Sequence, residues 1–340
     1  MNKNHKIRFA VIGCGHIGKR HAEMISKNPD AELIALCDVR PAEECGVSDY
    51  KIPFYTDFEE LLTAEKELDV VNICTPNGLH AEMAIKTMEA GFDVVVEKPL
   101  TIKKPDAEKI LKTSFNTNKN VFTVMQNRYS PPSAWLKQIM DENLLGKIYL
   151  VQVNCFWNRD ERYYTSGTWH GKADLDGGTL FTQFSHFIDI IYWLFGDVEN
   201  IRATFADFNH KELTDFEDSG LVHFDFVNGG KCSFNYSTAV YNQNLESSLT
   251  IIGEKGTVKV AGQYMNEVVT CDIENYTMPE LPPANPPNDY GLYKGSAQNH
   301  HFVIQNVIDK IHSNHPITTN ALEGMKVVDI IERIYSLKKD

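Results

Sequence analysis

A glycine-rich turn near the start of the chain limits its fold more than any other feature. An apolar run at residues 7–13 leads into Gly13-Cys14-Gly15-His16-Ile17-Gly18, a helical stretch follows over 16–27, and Asp38 ends the next apolar run, 31–38. A strand that turns through G-x-G-x-x-G straight into a helix is the opening of a dinucleotide-binding βαβ unit, and the acidic residue about 20 positions further on is the one that reads a ribose. The glycines allow the tight turn and close approach of the backbone to a diphosphate, while the helix N-terminus supplies donors and the positive end of its dipole. A carboxylate at Asp38 accepts hydrogen bonds from ribose hydroxyls and repels a 2′-phosphate, favouring NAD over NADP; Arg40, two residues on, pulls the other way.

Further apolar runs at 70–74, 94–96 and 121–125 alternate with helical patterns, one of them stopping at Gly91. Continuous apolar strands separated by helices predict a doubly wound parallel sheet, an α/β Rossmann domain over residues 1–128. After Pro131-Pro132 the pattern changes: a helix over 134–143, one helical stretch over 181–195, then long β-alternating segments, two of them joined by Asn228-Gly229-Gly230 as a hairpin. Residues 129–340 therefore read as an α+β domain built on a large, mostly antiparallel open sheet. The five prolines among residues 278–288 mark a surface loop, and two helices (299–312 and 321–337) close the chain, the last placed to pack back on the first domain.

Acidic residues number 46 against 33 basic, a net charge of −13, which disfavours nucleic acid and anionic membrane as partners. The seven cysteines are scattered without a C-x-x-C pair, so a reduced, cytoplasmic setting is expected rather than a disulfide framework or zinc site. The first residues carry no apolar leader pattern, and the apolar stretch 187–195 is interrupted by Asp189 and too short for a membrane span. No metal is expected: His186-x-x-Asp189 offers two ligands at most, and His300-His301 point to different helix faces.

Two loops fall at the carboxyl ends of predicted strands, where ligands of open α/β sheets bind: Thr75-Pro76-Asn77-Gly78-Leu79-His80 and Glu97-Lys98-Pro99. In one reading Pro76 and Pro99 end strands, His80 caps a helix and Glu97 pairs with Lys98. In the other, Lys98 sits where a nicotinamide and its substrate meet.

On these residues the chain resembles the Gfo/Idh/MocA family of NAD(P)-dependent sugar and cyclitol oxidoreductases over nearly its whole length. The Glu97-Lys98-Pro99 tripeptide is the most characteristic mark. The second is Gly177-Gly178-Thr179-Leu180, then His186, Asp189 and Trp193-Leu194-Phe195-Gly196. The resemblance implies Lys98 and His186 as the catalytic pair. It implies cofactor contacts from Gly13, Gly15, His16, Ile17, Gly18, Asp38, Thr75, Pro76, Asn77, His80, Glu97, Lys98 and Gln126. It also implies that the open face of the second sheet is an oligomer interface, of a homodimer or homotetramer. Many members carry an Asp four residues before the histidine; here that residue is Thr182, which cannot ionise, and the choice of base between Lys98 and His186 stays open. Stretches at 126–129, 157–159, 167–171 and 295–300 are similar to those of bacterial UDP-N-acetylglucosaminuronate 3-dehydrogenases of surface-polysaccharide pathways.

Oxidising a secondary alcohol requires NAD and a group that takes the hydroxyl proton. His186, with an ordinary pKa of about 6.5, suits that role near neutrality. Lys98 either polarises the alkoxide or is itself the base, if burial and the positive nicotinamide lower its pKa. An anionic nucleotide sugar needs local cations, and Arg128 and Arg159 are favoured over Arg162, Lys172 and Lys294. Tyr129, Thr182 and Gln183 complete the expected substrate contacts, with Trp157, Tyr163, Tyr164 and Trp169 able to stack on a sugar or base. The competing readings are a dehydrogenase of another sugar or cyclitol, an NAD-dependent glycosidase, and a non-catalytic dinucleotide-binding sensor.

Overall fold

The computed structural model describes residues 5–165, 167, 169–291 and 293–338. In chain order the first elements are β1 (Ile7–Ile12), α1 (His16–Lys27), β2 (Ala31–Cys37), α2 (Ala42–Cys45), β3 (Phe54–Tyr55), α3 (Phe58–Ala64), β4 (Val70–Ile73), α4 (His80–Glu89), β5 (Asp93–Val96), α5 (Lys104–Thr117) and β6 (Val121–Thr123). Then come α6 (Pro131–Asp141), β7 (Ile148–Phe156), α7 (Glu161–Tyr164), α8 (Thr179–Thr182), α9 (Ser185–Phe195), β8 (Val198–Ala206), β9 (Ser219–Phe226) and β10 (Lys231–Ser237). The remainder is β11 (Glu246–Gly253), β12 (Gly256–Ala261), β13 (Glu267–Ile273), β14 (Pro287–Asp289), β15 (Lys294–Ala297), α10 (His300–Ser313) and α11 (Ala321–Tyr335). The chain divides into two compact units: Met1–Met125 with His300–Val328, and Gln126–Asn299 with Asp329–Asp340.

The first unit is built on a six-stranded sheet of order β3-β2-β1-β4-β5-β6. All its pairings are parallel. Strand β4 (Val70-Val71-Asn72-Ile73) is buried at every position, as a strand covered on both faces must be. The strand order reverses between β1 and β4, the point where ligands of such sheets bind. Backbone bonds from Gly13 N to Cys37 O (2.8 Å), Cys74 N to Ile12 O (2.8 Å) and Glu97 N to Ile73 O (3.0 Å) carry the pairing past the strand ends, so the residues that follow β1, β2, β4 and β5 lie in one row. Strand β3 and helix α3 lack a long apolar run and went unseen in the sequence pattern. Asp57, whose carboxylate accepts from Glu59 N and Glu60 N, was their legible signal, an N-cap. Residues 300–328 return to this unit because α10 buries Val303, Ile304, Val307 and Ile308 and is tied to α1's end by Asn28 Nδ2–Gln305 Oε1 (3.0 Å).

The second unit carries a seven-stranded sheet of order β13-β12-β11-β7-β10-β9-β8. It is antiparallel throughout except at the parallel β7–β10 pairing. Alternation buries Val222, Phe224 and Phe226 of β9 and Cys232, Phe234 and Tyr236 of β10 on one face. Leu150, Leu221 and Ile252 lie exposed on the other. The Asn228-Gly229-Gly230 turn joins β9 to β10, with φ of +97° and +98° at the two glycines. The helical stretch expected over 181–195 is two helices, α8 and α9, because Phe184 leaves helical geometry (φ −117°, ψ 7°). The amide of the preceding residue, Gln183, is held by Arg159 and Tyr163. The end of the proline-rich segment is a short strand, β14, paired with β15. Among the described residues no helix is long and apolar enough to cross a membrane.

Candidate active site

In the first unit, the three glycines of the turn do different things. Gly13 has φ +90°, and a Cβ there would lie 2.5 Å from the carbonyl oxygen of Cys74. A Cβ at Gly18 would lie 1.7 Å from the carbonyl oxygen of Gly13. The first is demanded by the close approach of the loop after β4, the second by the seating of α1 against the turn. A Cβ at Gly15 would meet nothing within 4 Å, so the fold itself does not require glycine there; a closely approaching ligand does. Gly15 is also the N-cap of α1 and provides no side-chain cap, which leaves backbone donors for an anion. Exposed His16 and half-buried Ile17 follow it on the first turn.

Asp38 sits just past β2, and its Oδ2 accepts from the Cys14 N–H at 2.8 Å, joining it to the glycine-rich turn. Arg40 forks onto the same carboxylate, Nε to Oδ1 at 3.0 Å and Nη2 to Oδ2 at 3.1 Å. Burial alone would raise the Asp38 pKa, but the hydrogen bonds from Arg40 and Cys14 outweigh it and hold the group below its ordinary value. Arg40, the residue that pulled towards NADP in the sequence, is thus folded onto Asp38. Burial also pushes the Cys14 thiol up to about 12, with the nearby Asp38 charge adding to it, so the turn carries a neutral thiol.

The loops after β4 and β5 are tied together by His80. This side chain is fully buried, with Nδ1 2.8 Å from Pro99 O and Nε2 2.9 Å from Thr75 O. Both ring nitrogens of this expected cofactor residue therefore face backbone carbonyls. Thr75 Oγ1 turns towards Met83 Sδ (3.4 Å), and Asn77 is buried in the short turn before α4. Glu97 is buried, its Oε1 lying 2.9 Å from His21 Nε2 and 3.5 Å from His300 Nε2, while Oε2 accepts from the Lys98 backbone N–H at 3.1 Å. Burial raises the Glu97 pKa, but the hydrogen bond from His21 outweighs it, with the nearby His300 ring adding to the effect, and the carboxyl is held well below the usual range. His21 Nδ1 in turn lies 2.7 Å from the Asn72 amide nitrogen. Sequence reasoning missed His21 and Asn72, and it placed His300 only in a local stretch, not beside Glu97. Their signal was a polar residue at an apolar position: His21 shares its helix face with buried Gly18, Ala22 and Ile25.

In the second unit, His186 is buried in the first turn of α9. One turn later Asp189 receives Arg128, Nε to Oδ2 at 2.8 Å and Nη2 to Oδ1 at 2.6 Å, with the guanidinium 5.1 Å from the Trp193 ring centre. Arg128, expected as an anion ligand, is thus fastened to α9. Gln126 is buried just ahead of it, its carbonyl accepting from Asn299 Nδ2 at 3.2 Å, and Tyr129 is half-buried. Thr182 Oγ1 donates to the Asp176 carbonyl (3.0 Å) and contacts the Asp176 carboxylate, which also accepts from Gly171 N at 2.7 Å. A buried carboxylate therefore stands beside Thr182, supplied six residues earlier in the chain and unnoticed in the sequence. The Asp176-Gly177-Gly178 turn was its only mark.

Arg159 is 2% exposed, and its guanidinium carbon lies 4.9 Å, 5.2 Å and 5.1 Å from the ring centres of Trp157, Tyr163 and Tyr293. Its acceptors are Gln183 Oε1 (2.7 Å), Asn158 O (2.6 Å), Asn244 Oδ1 (3.2 Å) and Lys294 O (3.1 Å). Among the described residues every one of these partners is neutral, so the cation is stabilised by rings and dipoles but not cancelled. Trp169 stacks on His170 at 4.1 Å, and Thr168 of the 167–171 stretch lies outside the described residues.

Comparison with known proteins agrees with this layout. Residues 7–126 match the model of the Gfo/Idh/MocA oxidoreductase family with its NAD-binding Rossmann fold, and residues 134–259 match the family's C-terminal domain. The structure of the WlbA dehydrogenase from Bordetella pertussis in complex with NADH and UDP-GlcNAcA is similar over 98% of this chain and 96% of that one, with 32% identity and a TM-score of 0.87. Inositol 2-dehydrogenase of Rhizobium meliloti is 27% identical over 81% of this chain and 82% of its own. Levoglucosan dehydrogenase bound to NADH, at 20% identity and a TM-score of 0.81 over 98% of this chain and 97% of that one, shares the fold. With Gly15 open to a ligand and Asp38 at the ribose-reading position, the residues present fit the cofactor that the family binds. The chain belongs to the Gfo/Idh/MocA family and is an NAD-dependent oxidoreductase.

Proposed function

We propose that this enzyme oxidises the C3 hydroxyl of a nucleotide-linked N-acetylhexosaminuronate, with UDP-N-acetylglucosaminuronate as the first compound to test. The observation that carries the reading is Arg159, a buried guanidinium whose acceptors are all neutral: its uncancelled charge favours a carboxylate or diphosphate over an uncharged sugar or cyclitol. The 32% identical relative bound to NADH and UDP-GlcNAcA supports the same class.

NAD supplies the hydride acceptor. Lys98 and His186 are the proposed catalytic residues, one taking the hydroxyl proton while the other donates to the developing alkoxide. The sequence left the base unassigned between them, and the Thr182–Asp176 contact supports neither. Arg159, Gln183, Thr182, Tyr129 and Trp169 are proposed to shape the substrate's surroundings, and Arg128 to act through α9. The seven free cysteines support a cytoplasmic setting, and the exposed apolar residues of the second sheet support self-association as a dimer or tetramer.

The test is NADH formation by the purified protein with UDP-N-acetylglucosaminuronate, UDP-N-acetylglucosamine, myo-inositol and glucose. Turnover of the uronate alone is expected. Equal turnover of the uncharged nucleotide-free compounds would remove the anionic class, and release of free sugar without net NADH would favour the glycosidase reading.

A further inference from the structure

Lys98 is half-buried, and both of its chain neighbours are held by buried histidines. On one side, Glu97 Oε1 faces His21 Nε2 at 2.9 Å and His300 Nε2 at 3.5 Å, and its Oε2 accepts the Lys98 N–H at 3.1 Å. On the other, Pro99 O faces His80 Nδ1 at 2.8 Å, and the same ring reaches Thr75 O at 2.9 Å. The Asn72 amide nitrogen lies 2.7 Å from His21 Nδ1; as a donor it makes Nδ1 the acceptor and puts the ring proton on Nε2, aimed at Glu97. The hydrogen bonds thus run from Asn72 through His21 to Glu97, where the Lys98 backbone is also received. Helix α1, strand β4 and the loop after β5 each supply one member, while the His300 ring of α10 makes no hydrogen bond among the described residues and packs edge-on against His21 and close to Glu97.

We propose that His21, His80 and His300 are positioning residues that fix the Glu97–Pro99 peptide from both sides and so aim the Lys98 amine, without touching substrate or cofactor. The inference rests on the reading of Lys98 as catalytic. Its physical basis is that a catalytic group displaced by about 1 Å loses on the order of 10²-fold in rate. A carboxylate with two oxygens bound to opposite partners transmits any shift of His21 directly to the Lys98 N–H. A divalent ion is the competing occupant, since the ligand atoms of His21, Glu97 and His300 all lie within 4.8 Å of one another. The 2.9 Å His21–Glu97 distance and the engaged Nδ1 are those of a hydrogen-bonded pair.

The experiment compares Ala and Gln variants at positions 21, 80 and 300 with Val95→Ala, a core substitution in β5 that destabilises the same sheet. The measurements are NAD affinity by calorimetry, kcat and KM with NAD and UDP-N-acetylglucosaminuronate, and the pH dependence of Lys98 acetylation by acetic anhydride, read by mass spectrometry. The last needs no substrate. The Ala variants are expected to lose at least roughly tenfold in kcat at unchanged KM and NAD affinity, with a shifted midpoint of Lys98 reactivity. The Gln variants at 21 and 80, which keep a hydrogen-bonding group, should recover most of it, and Val95→Ala should change neither kcat nor the midpoint. If an Ala variant does not fold, the Gln variants together with Glu97→Gln carry the same comparison. Ala variants that behave like Val95→Ala, or one equivalent of a divalent metal in the purified protein, would overturn the proposal. Lys98→Met separates the two readings: an active Lys98→Met enzyme removes Lys98 from catalysis, whereas an inactive one beside fully active histidine variants removes the positioning role alone.

Discussion

Arg128 and Asp189 form a bidentate ion pair in which both side chains are 1% exposed. Such a pair is costly to break from one side, because the surviving charge stays buried without compensation. Arg128→Ala is therefore expected to lower the unfolding free energy by about 3–5 kcal/mol. Urea denaturation measures it. A variant of wild-type stability whose only defect is a raised KM would instead return Arg128 to direct substrate binding.

The glycine-rich turn separates packing from ligand binding within six residues. Gly15→Ala should leave stability within about 0.5 kcal/mol of wild type, since its Cβ meets open space, and should weaken NAD at least tenfold, about 1.4 kcal/mol. Gly13→Ala should cost more than about 1 kcal/mol of stability even without cofactor, given its φ of +90° and the Cys74 carbonyl. Thermal unfolding with and without NAD distinguishes the two, and equal behaviour of both variants would contradict this division.

Asp38 is expected to set the cofactor preference. Calorimetric titration should show NAD binding at least tenfold more tightly than NADP, a difference of about 1.4 kcal/mol, and Asp38→Ala should erase most of it. Because Arg40 is folded onto that carboxylate, Arg40→Ala should not improve NADP binding. Equal affinities in the wild-type protein would show that Arg40 turns outward when the cofactor binds.

Stability should fall on acidification. Burial lowers the pKa values of His80, His210 and His300. In the unfolded chain these rings take up protons near pH 6.5, roughly the ordinary value, while the folded chain resists. Their contribution is complete above that pH and is lost as pH falls towards the folded values. Glu97, also depressed, adds its own loss below about pH 4.3, where the unfolded carboxyl is protonated first. Denaturation between pH 7.5 and 5 should show this decline, with a shallower slope in His300→Gln. A flat or rising profile would contradict neutral buried rings.

Much of this was legible in the sequence because it is local. The strand–turn–helix context of Gly13 to Gly18, the apolar runs of β1, β4 and β5 and the hairpin at Asn228 to Gly230 are each contained in a few consecutive residues. What was not legible depends on residues far apart. Glu97 read as a partner of Lys98, and its Oε2 does accept the Lys98 backbone N–H, but its Oε1 meets His21, 76 positions away, which no local pattern shows. Thr182 read as the absence of an acid, yet Asp176 stands beside it. Arg128 and Arg159 were alike as cations in the sequence. Only the fold shows that one is matched by Asp189 and the other by rings and neutral oxygens.

Hydride removal from C3 of an anionic nucleotide sugar, as proposed, must carry the C3 hydrogen onto the nicotinamide, and isotope transfer reads this. UDP-N-acetylglucosaminuronate carrying deuterium at C3 would be incubated with the enzyme and NAD, and the reduced cofactor examined by mass spectrometry. Deuterated NADH is expected in amounts matching the oxidised sugar. Unlabelled NADH, or none with this sugar but ready reduction with an uncharged cyclitol, would contradict it.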